Sequence, residues 1–402
     1  MRGDNGGPLD GVRVVDLTRV LAGPFCSMVL ADLGAEVIKV EYPGRGDDAR
    51  AFGPHVQGES TYFMSLNRNK KGITLNLKKP AGKGILQSLV KKADILLENF
   101  RPGTMEALGL GYEELARVNP KLIYASCSGF GQTGPLRDRP AYDLIVQAMG
   151  GIMSLTGAPG GPPTRVGSSI GDITAGLFTA IGVLAALQAR ERTGRGQKVD
   201  VSMLDCQVAI LENAITRYLV TGELPTRVGN RHPSITPFAV FPGSDGYFIV
   251  AAGNDTLWEK LCRVIGREDL LGNPLFATNA SRTENHQELL EALEGTFSTK
   301  STGYWLERLQ EAGIPCGPIL GVDEVCRHPQ VLAREMIVEL DHPKAGRIKV
   351  PGCPVKFSET NRTTTDPAPT LGQHNREVLG GILGLKPGEI ENLERDGVVS
   401  FS

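Results

Sequence analysis

Val12-Arg13-Val14-Val15-Asp16-Leu17, the turn Leu21-Ala22-Gly23-Pro24, the helically spaced run Phe25 to Leu33 and then Glu36-Val37-Ile38-Lys39-Val40-Glu41 decide the reading of the fold. Two short β-rich runs flank one helix, which makes a βαβ unit whose second strand runs parallel to the first. The alternation continues outward. Gly72 to Leu77, Ile95 to Glu98, Leu122 to Ser126 and Lys198 to Met203 read as strands; Ala81 to Lys92, Tyr112 to Val118, Tyr142 to Met149 and Ile173 to Arg190 read as helices. The pattern predicts an α/β fold, Rossmann-like, with a mostly parallel sheet covered on both faces. After Thr221 the stretches Gly222-Glu223-Leu224-Pro225 and Gly229-Asn230-Arg231-His232-Pro233 break the rhythm. We therefore expect a large domain over 1–221, a linker and smaller α+β domain over 222–327, and a C-terminal segment over 328–402 that returns to the large domain. In the smaller domain a helix starts near Thr256 with Glu259 placed to close a capping box, and the C-terminal segment ends in a helix near Thr370 to Leu383.

Composition narrows the function. The chain has 402 residues, 41% hydrophobic and 22% charged, with 43 basic against 45 acidic side chains. No chain-wide basic field exists to hold nucleic acid or an anionic membrane, so the partner is expected to be a small molecule. Seven cysteines, widely spaced and without a C-x-x-C pair, read as reduced and mostly buried. The start MRGDNGGPLDG carries no apolar signal core, and a cytoplasmic protein is expected. The longest apolar stretch, Leu177 to Leu187, is interrupted by Gln188 and Arg190 and falls short of the roughly 20 residues that cross a bilayer. It reads as a core helix.

The motifs divide into weak and informative ones. Glu41 lies about where a ribose-binding acid would fall in a dinucleotide unit, but the turn holds one glycine, and Pro24 removes an N–H that a pyrophosphate needs. Gly129-Phe130-Gly131-Gln132-Thr133-Gly134 follows a strand but opens onto Pro135 and a polar run instead of a helix. NAD is not expected. The six histidines form no metal-spaced cluster and no G-x-S-x-G elbow occurs, so neither a metal nor a serine nucleophile is expected. Gly167-Ser168-Ser169-Ile170-Gly171-Asp172 is the most informative stretch, because it places Asp172 just before the strongest helix, where the helix end favours the ionised acid. Gly171 and Gly176 would leave the space around it open. A capping carboxylate spends its oxygens on backbone amides, whereas a nucleophile keeps one free; both readings share this sequence.

Read in order, several blocks resemble the class III CoA-transferase family, also called the formyl-CoA transferase or CaiB–BaiF family. They are Asp16-Leu17-Thr18-Arg19-Val20-Leu21-Ala22-Gly23-Pro24, Asp32 to Glu41, Asn67-Arg68-Asn69-Lys70-Lys71, Glu98-Asn99-Phe100-Arg101-Pro102-Gly103, Gly129 to Pro135, and Gly171-Asp172 running on to Thr193-Gly194-Arg195-Gly196-Gln197. The resemblance covers almost the whole chain. It implies that Asp172 is a nucleophile, that CoA or acyl-CoA is a substrate, and that Ala22, Leu75, Lys78, Asn99, Phe100 and Arg101 fall on CoA-binding stretches. It also implies a ring-shaped chain that forms an interlocked homodimer.

The resemblance carries specificity too. Family racemases have a histidine base where this chain has Tyr142, which favours transfer over racemisation, with an acyl-CoA racemase or a non-catalytic CoA-binding protein as alternatives. Tyr62 matches an active-site tyrosine of formyl-CoA transferases. A family arginine after the second strand is Tyr42 here, which shifts phosphate contacts toward Arg45 or Arg101. The tetraglycine loop of formyl-CoA transferases is replaced by Gly229-Asn230-Arg231-His232-Pro233-Ser234, which argues against oxalate and formyl-CoA. Within the family the likeness runs to succinyl-CoA:glutarate and related dicarboxylate enzymes. A distal carboxylate on such an acceptor needs a cation or donor, and Arg50, Arg165, Arg231 and His232 are the candidates, with the 229–234 loop first. The same loop and the turn at Gly171 are expected to supply oxyanion N–H groups.

Overall fold

The computed structural model describes residues 6–360 and 365–401. Its centre is one six-stranded sheet. In chain order the elements are β1 (Arg13–Asp16), α1 (Ala22–Asp32), β2 (Glu36–Glu41), β3 (Lys70–Thr74), α2 (Pro80–Val90), β4 (Ile95–Glu98), β5 (Ile123–Ser128), α3 (Asp143–Met149), α4 (Ile170–Thr193), β6 (Lys198–Ser202) and α5 (Met203–Ala209). The strand order is β3-β2-β1-β4-β5-β6 and every pair is parallel. That is the doubly wound order, which reverses direction between β1 and β4 and opens a crevice there at the carboxyl ends of the strands.

The period-two alternation of the strands sorts their side chains into two cores. Val15, Ile38, Ile73, Leu96 and Tyr124 face α2, packing on Ile85, Leu86 and Leu89. Val14, Val37, Ile95, Leu97, Ile123 and Ala125 face the other way, onto Cys26 and Leu30 of α1 and Ala180 and Val183 of α4. Both faces are buried, which is why the strands read as continuous apolar runs. Truncating Leu30, fully buried here, to alanine is expected to cost about 2–5 kcal/mol.

α4 departs from its expected length. It runs for 24 residues, long and apolar enough by length and composition to cross a membrane, and packs against α1, α3, α5, β5 and β6. Gln188 and Arg190 lie within it without ending it. The stop is Gly194 at φ 68°, whose N–H returns to the Arg190 carbonyl.

By contact density the chain divides into two compact units, Met1–Ile152 with Val166–Ile215 and Pro329–Ser402, and Met153–Arg165 with Thr216–His328. The second unit holds β7 (Phe238–Pro242), β8 (Tyr247–Ala251), α6 (Asp255–Val264), α7 (His286–Phe297), α8 (Thr302–Glu311) and β9 (Cys316–Pro318), with an antiparallel sheet of order β9-β8-β7. Phe297 centres its core, 5.0 Å from Phe241, 5.2 Å from Phe248 and 5.3 Å from Trp305 between ring centroids. Asn254 caps α6 by accepting the Leu257 N–H, and Glu259, expected in a capping box, faces Arg263 one turn on.

Back in the first unit, β10 (Ile337–His342) and β11 (Gly346–Pro351) form a hairpin, and α9 (Pro387–Arg395) lies near the C-terminus. The run expected as a helix over 370–383 is helical only over 375–382, and its Glu377–Ile382 part is a π-turn that contains Gly380 and Gly381. This segment shields the edge of the sheet: His374 Nδ1 accepts the Gly72 N–H at 3.0 Å and Asn375 Oδ1 the Thr74 N–H at 2.9 Å.

Candidate active site

A groove of about 730 Å³ lies off the carboxyl ends of four strands. Leu17, Thr18 and Arg19 follow β1, Glu41 and Tyr42 close β2, Leu75, Leu77 and Lys78 follow β3, and Phe100, Thr104 and Leu108 follow β4. The winding order of the sheet puts a cleft at this place. Its floor is apolar and its rim carries Lys78 and Arg45, a lining suited to a long ligand with apolar and anionic parts.

Beneath the groove, the turn from β1 into α1 stands on buried charge. Lys70 Nζ bonds to the Pro24 carbonyl at 3.0 Å, to Ser27 Oγ at 2.7 Å and to Asn67 Oδ1 at 2.9 Å, and reaches Asp16 at 3.4 Å. Burial pulls its pKa down to about 8 against the pull of Asp16. Lys39 pairs with Asp47 at 2.8 Å and donates to the Thr18 carbonyl. Val20 sits at φ 68°, a left-handed conformation that costs a β-branched residue, and is held there from both sides. Asp47 accepts its N–H, while Asn99 takes both the N–H and the carbonyl of Arg19. Asn99 therefore shapes the turn with both ends of its amide.

Asp172 does not precede the helix. Ser169 is the N-cap and Asp172 falls in the first turn of α4. Among the described residues no donor reaches its carboxylate, so both oxygens are uncommitted. It is half-buried, and burial together with the nearby Asp143 pushes its pKa up to about 7. The helix end, expected to keep it ionised, is outweighed. Nor do the glycines leave open space. A Cβ on Gly171 would stand 2.7 Å from Val146 Cγ2, and one on Gly176 would stand 2.7 Å from the Ala22 carbonyl oxygen, so both allow close packing against neighbouring helices. Tyr62, in a helix over Thr61–Leu66, has its phenol pushed up to about 12 by burial and by Asp172, Asp143 and Asp47. It remains a hydrogen-bond donor at working pH. Asp47 also lines the groove, so Tyr62 lies within electrostatic reach of both Asp172 and the groove wall.

The other expected residues separate. Leu75, Lys78 and Phe100 line the groove. Ala22 is buried with Cys127, Val146 and Ala175, and Arg101 is exposed outside the groove lining. Arg50 forks onto Glu41 at 2.7 and 2.8 Å, bonds to the Pro369 carbonyl and lies 3.6 Å from the centre of the Phe63 ring, which commits its guanidinium to protein acceptors. Tyr142 is 75% exposed at the N-cap of α3. Arg231 and His232 belong to the second unit, where Arg231 is half-buried and His232 stacks on Phe238.

Of the expected oxyanion donors, Gly171, Gly229 and His232 are engaged. Gly171 N–H goes to Asp143 Oδ1 at 2.8 Å, Gly229 N–H to the Gly157 carbonyl and His232 N–H to the Phe238 carbonyl. Asp143, Gln147 and the turn residues Thr18, Arg19 and Asp47 escaped the sequence reading. The i,i+4 spacing of Asp143 and Gln147 beside Tyr142 was the available signal. A shielded carboxylate with unclaimed oxygens, within electrostatic reach of a protonated phenol, can act as a nucleophile or as a base.

The model of the family described as CoA-transferase family III matches residues 9–375. The chain belongs to CoA-transferase family III. An Acetobacter aceti protein named acetyl-CoA:oxalate CoA-transferase is 51% identical to this transferase over 353 residues, 88% of this chain and 90% of that one. A Mus musculus protein named succinyl-CoA:glutarate CoA-transferase is 43% identical over 393 residues, 98% of this chain and 90% of its own length. Among solved structures, a CAIB/BAIF family protein from Brucella suis matches the transferase with a TM-score of 0.84 at 40% identity, over 94% of this chain and 100% of that one.

Proposed function

We propose that this transferase moves CoA from an acyl-CoA, succinyl-CoA in the first instance, to a dicarboxylate such as glutarate, through covalent intermediates on Asp172. The observation that carries the proposal is the uncommitted carboxylate in the first turn of α4. An Asp172 oxygen attacks the thioester carbonyl carbon, the C–S bond breaks, and CoA leaves as thiolate from an acyl–aspartyl anhydride. The thiolate then attacks the aspartyl carbonyl, releasing the donor acid and leaving an aspartyl-CoA thioester. The acceptor carboxylate attacks that thioester and expels the thiolate again. The thiolate finally attacks the acceptor's acyl carbon, forming the new acyl-CoA and restoring Asp172. The Tyr62 O–H is the proposed donor to the tetrahedral oxyanions. Leu75, Lys78 and Phe100 hold acyl-CoA in the groove, with Lys78 against a phosphate.

The interlocked homodimer belongs to the same reading. Leu177, Phe178 and Ile181 on α4 and Leu144, Ile145 and Met149 on α3 are exposed on the single chain, and a second copy would cover them. Light scattering on the eluted protein should give twice the chain mass.

Incubation with succinyl-CoA and glutarate, hydroxylamine trapping and peptide mass spectrometry test the chemistry. An adduct on Asp172 supports it, and exchange without one sinks it. Solvent deuterium at the acyl α-carbon would point to the racemase reading. The 51% identity to a protein named for oxalate favours a second acceptor, against the expectation from the missing tetraglycine loop. Oxalate and glutarate, each offered with acetyl-CoA and succinyl-CoA, separate the two.

A further inference from the structure

We propose that Asp143 is a positioning residue for the reaction, holding the segment 166–171 and the first turn of α4 so that the Asp172 carboxylate is left without a protein partner. This rests on the reading of Asp172 as the nucleophile. The first N–H groups of a helix have no partner within it, and an acid in the first turn competes to bind them. Here other acceptors take them. Ile170 N–H goes to the Ser168 carbonyl at 2.8 Å and Gly171 N–H to Asp143 Oδ1 at 2.8 Å, while the regular ladder starts only with Ile173 N–H on the Ser169 carbonyl at 3.0 Å. The acceptor from α3 thus does for α4 what its own acid would otherwise do.

Gln147 extends the hold. It is fully buried one turn beyond Asp143, donates to Asp143 Oδ2 at 2.7 Å, and accepts the Val166 N–H at 2.9 Å. The segment leading into α4 is therefore tied down at both ends by two side chains at i and i+4 of one helix. The approach requires glycine at 171, where a Cβ would come 2.7 Å from Val146 and 3.0 Å from Asp143 Oδ1.

Asp143 also sets the charge around the nucleophile. The titratable groups facing Asp172 are Tyr62 from the helix over 61–66, Cys127 from β5 and Asp143 from α3. Burial keeps the Tyr62 phenol and the Cys127 thiol neutral, both pushed up to about 12. That leaves the Asp143 carboxylate as the charge that opposes ionisation of Asp172.

Two variants separate position from charge. Asp143→Asn keeps an oxygen for Gly171 N–H and removes the charge together with the Gln147 bond; Asp143→Ala removes the Gly171 acceptor as well. With succinyl-CoA, the acid limb of kcat/KM in Asp143→Asn should move down by about one pH unit, and isotope-edited infrared spectroscopy of the Asp172 carboxyl should show the same shift. In Asp143→Ala the adduct on Asp172 should form about 10–100-fold more slowly, with KM for acyl-CoA within about twofold of the parent, because the freed Gly171 N–H binds the nucleophile. Parental pH profiles and adduct rates in both variants would overturn the inference, as would a raised KM with unchanged kcat. If Asp143→Ala does not fold, Asp143→Asn and the infrared titration still decide. Asp172→Asn keeps the two readings apart: full exchange in that variant removes the nucleophile itself, whereas an inactive Asp172→Asn with parental Asp143 variants removes this inference alone.

Discussion

Asp16, at the end of β1 beside α1, and Asp172, in the first turn of α4, are shielded carboxylates next to helix starts, and their surroundings give them opposite chemistry. Asp16 accepts the N–H of Thr18 at 2.9 Å and the hydroxyls of Thr18 and Ser27, with Lys70 at 3.4 Å. Burial pushes its pKa up, but Lys70, Lys39 and the hydroxyls more than reverse this and hold it below the ordinary carboxylate range. Asp172 has burial and Asp143, both pushing upward, and no donor to answer them. Burial alone does not decide what a carboxylate does; the supply of donors decides. One acid builds the turn under the groove, and the other is kept available.

The largest expected effect follows from removing the available one. Asp172→Asn should lower CoA exchange by about a thousandfold or more and abolish the trapped adduct while leaving the fold intact. Residual exchange within tenfold of the parent would show that Asp172 is another structural acid, and the contrast with Asp16 would collapse. Removing the built-in acid should do the reverse. Asp16→Ala leaves Lys70 buried with its carboxylate partner gone, which should cost about 3–5 kcal/mol in urea unfolding. A loss below 1 kcal/mol would mean that Ser27, Asn67 and the Pro24 carbonyl satisfy Lys70 without Asp16.

These two sites were unequally legible in the sequence. The sheet could be read because Val14, Val15, Val37 and Ile38 are apolar on both faces of short strands, and hydrophobic pattern is local information. The groove followed partly, through Leu75, Lys78 and Phe100. The state of Asp172 did not, since a capping aspartate and an unpaired one share the same letters. Its freedom depends on Asp143, 29 positions away, taking the Gly171 N–H, and on a helix that begins at Ile170 instead of Ile173. Arg50 was likewise readable as a free cation until Glu41, nine positions before it, was seen to hold the guanidinium.

A smaller effect sharpens the contrast through pH. The Asp172 carboxyl titrates near 7 in the native state against an ordinary 3.8, so the native state binds the proton more tightly. Its contribution to stability is therefore present in full below about pH 4 and is lost as pH rises through 7. An amide in its place has no such loss. Asp172→Asn should match the parent near pH 4 and exceed it at pH 8 by about 2–4 kcal/mol in urea unfolding, at about 1.4 kcal/mol per pKa unit. Asp16→Asn should behave oppositely. The depressed Asp16 pKa gives stability that is present above the ordinary carboxylate range and is lost as pH falls, so this variant should be worse than the parent at pH 8 and approach it in acid. Equal pH slopes for the two variants would break the comparison.

The smallest expected effect extends the comparison to the cations. Lys39 and Lys70 are buried with their ammonium groups bonded to the turn, whereas Lys78 is exposed on the groove rim, and among the described residues no acceptor takes its ammonium. If the division between building and available groups holds, Lys78 meets a phosphate of acyl-CoA and nothing else. Lys78→Ala should then raise KM for acyl-CoA about tenfold, leave kcat within twofold and leave unfolding unchanged. The KM difference should shrink as salt is raised, because a rim ammonium facing a phosphate is screened over roughly a Debye length, whereas the buried lysines are not. An unchanged KM at low salt would remove Lys78 from the groove's function. A salt-independent increase would mean that the lysine stem packs against the ligand and its charge does not contribute.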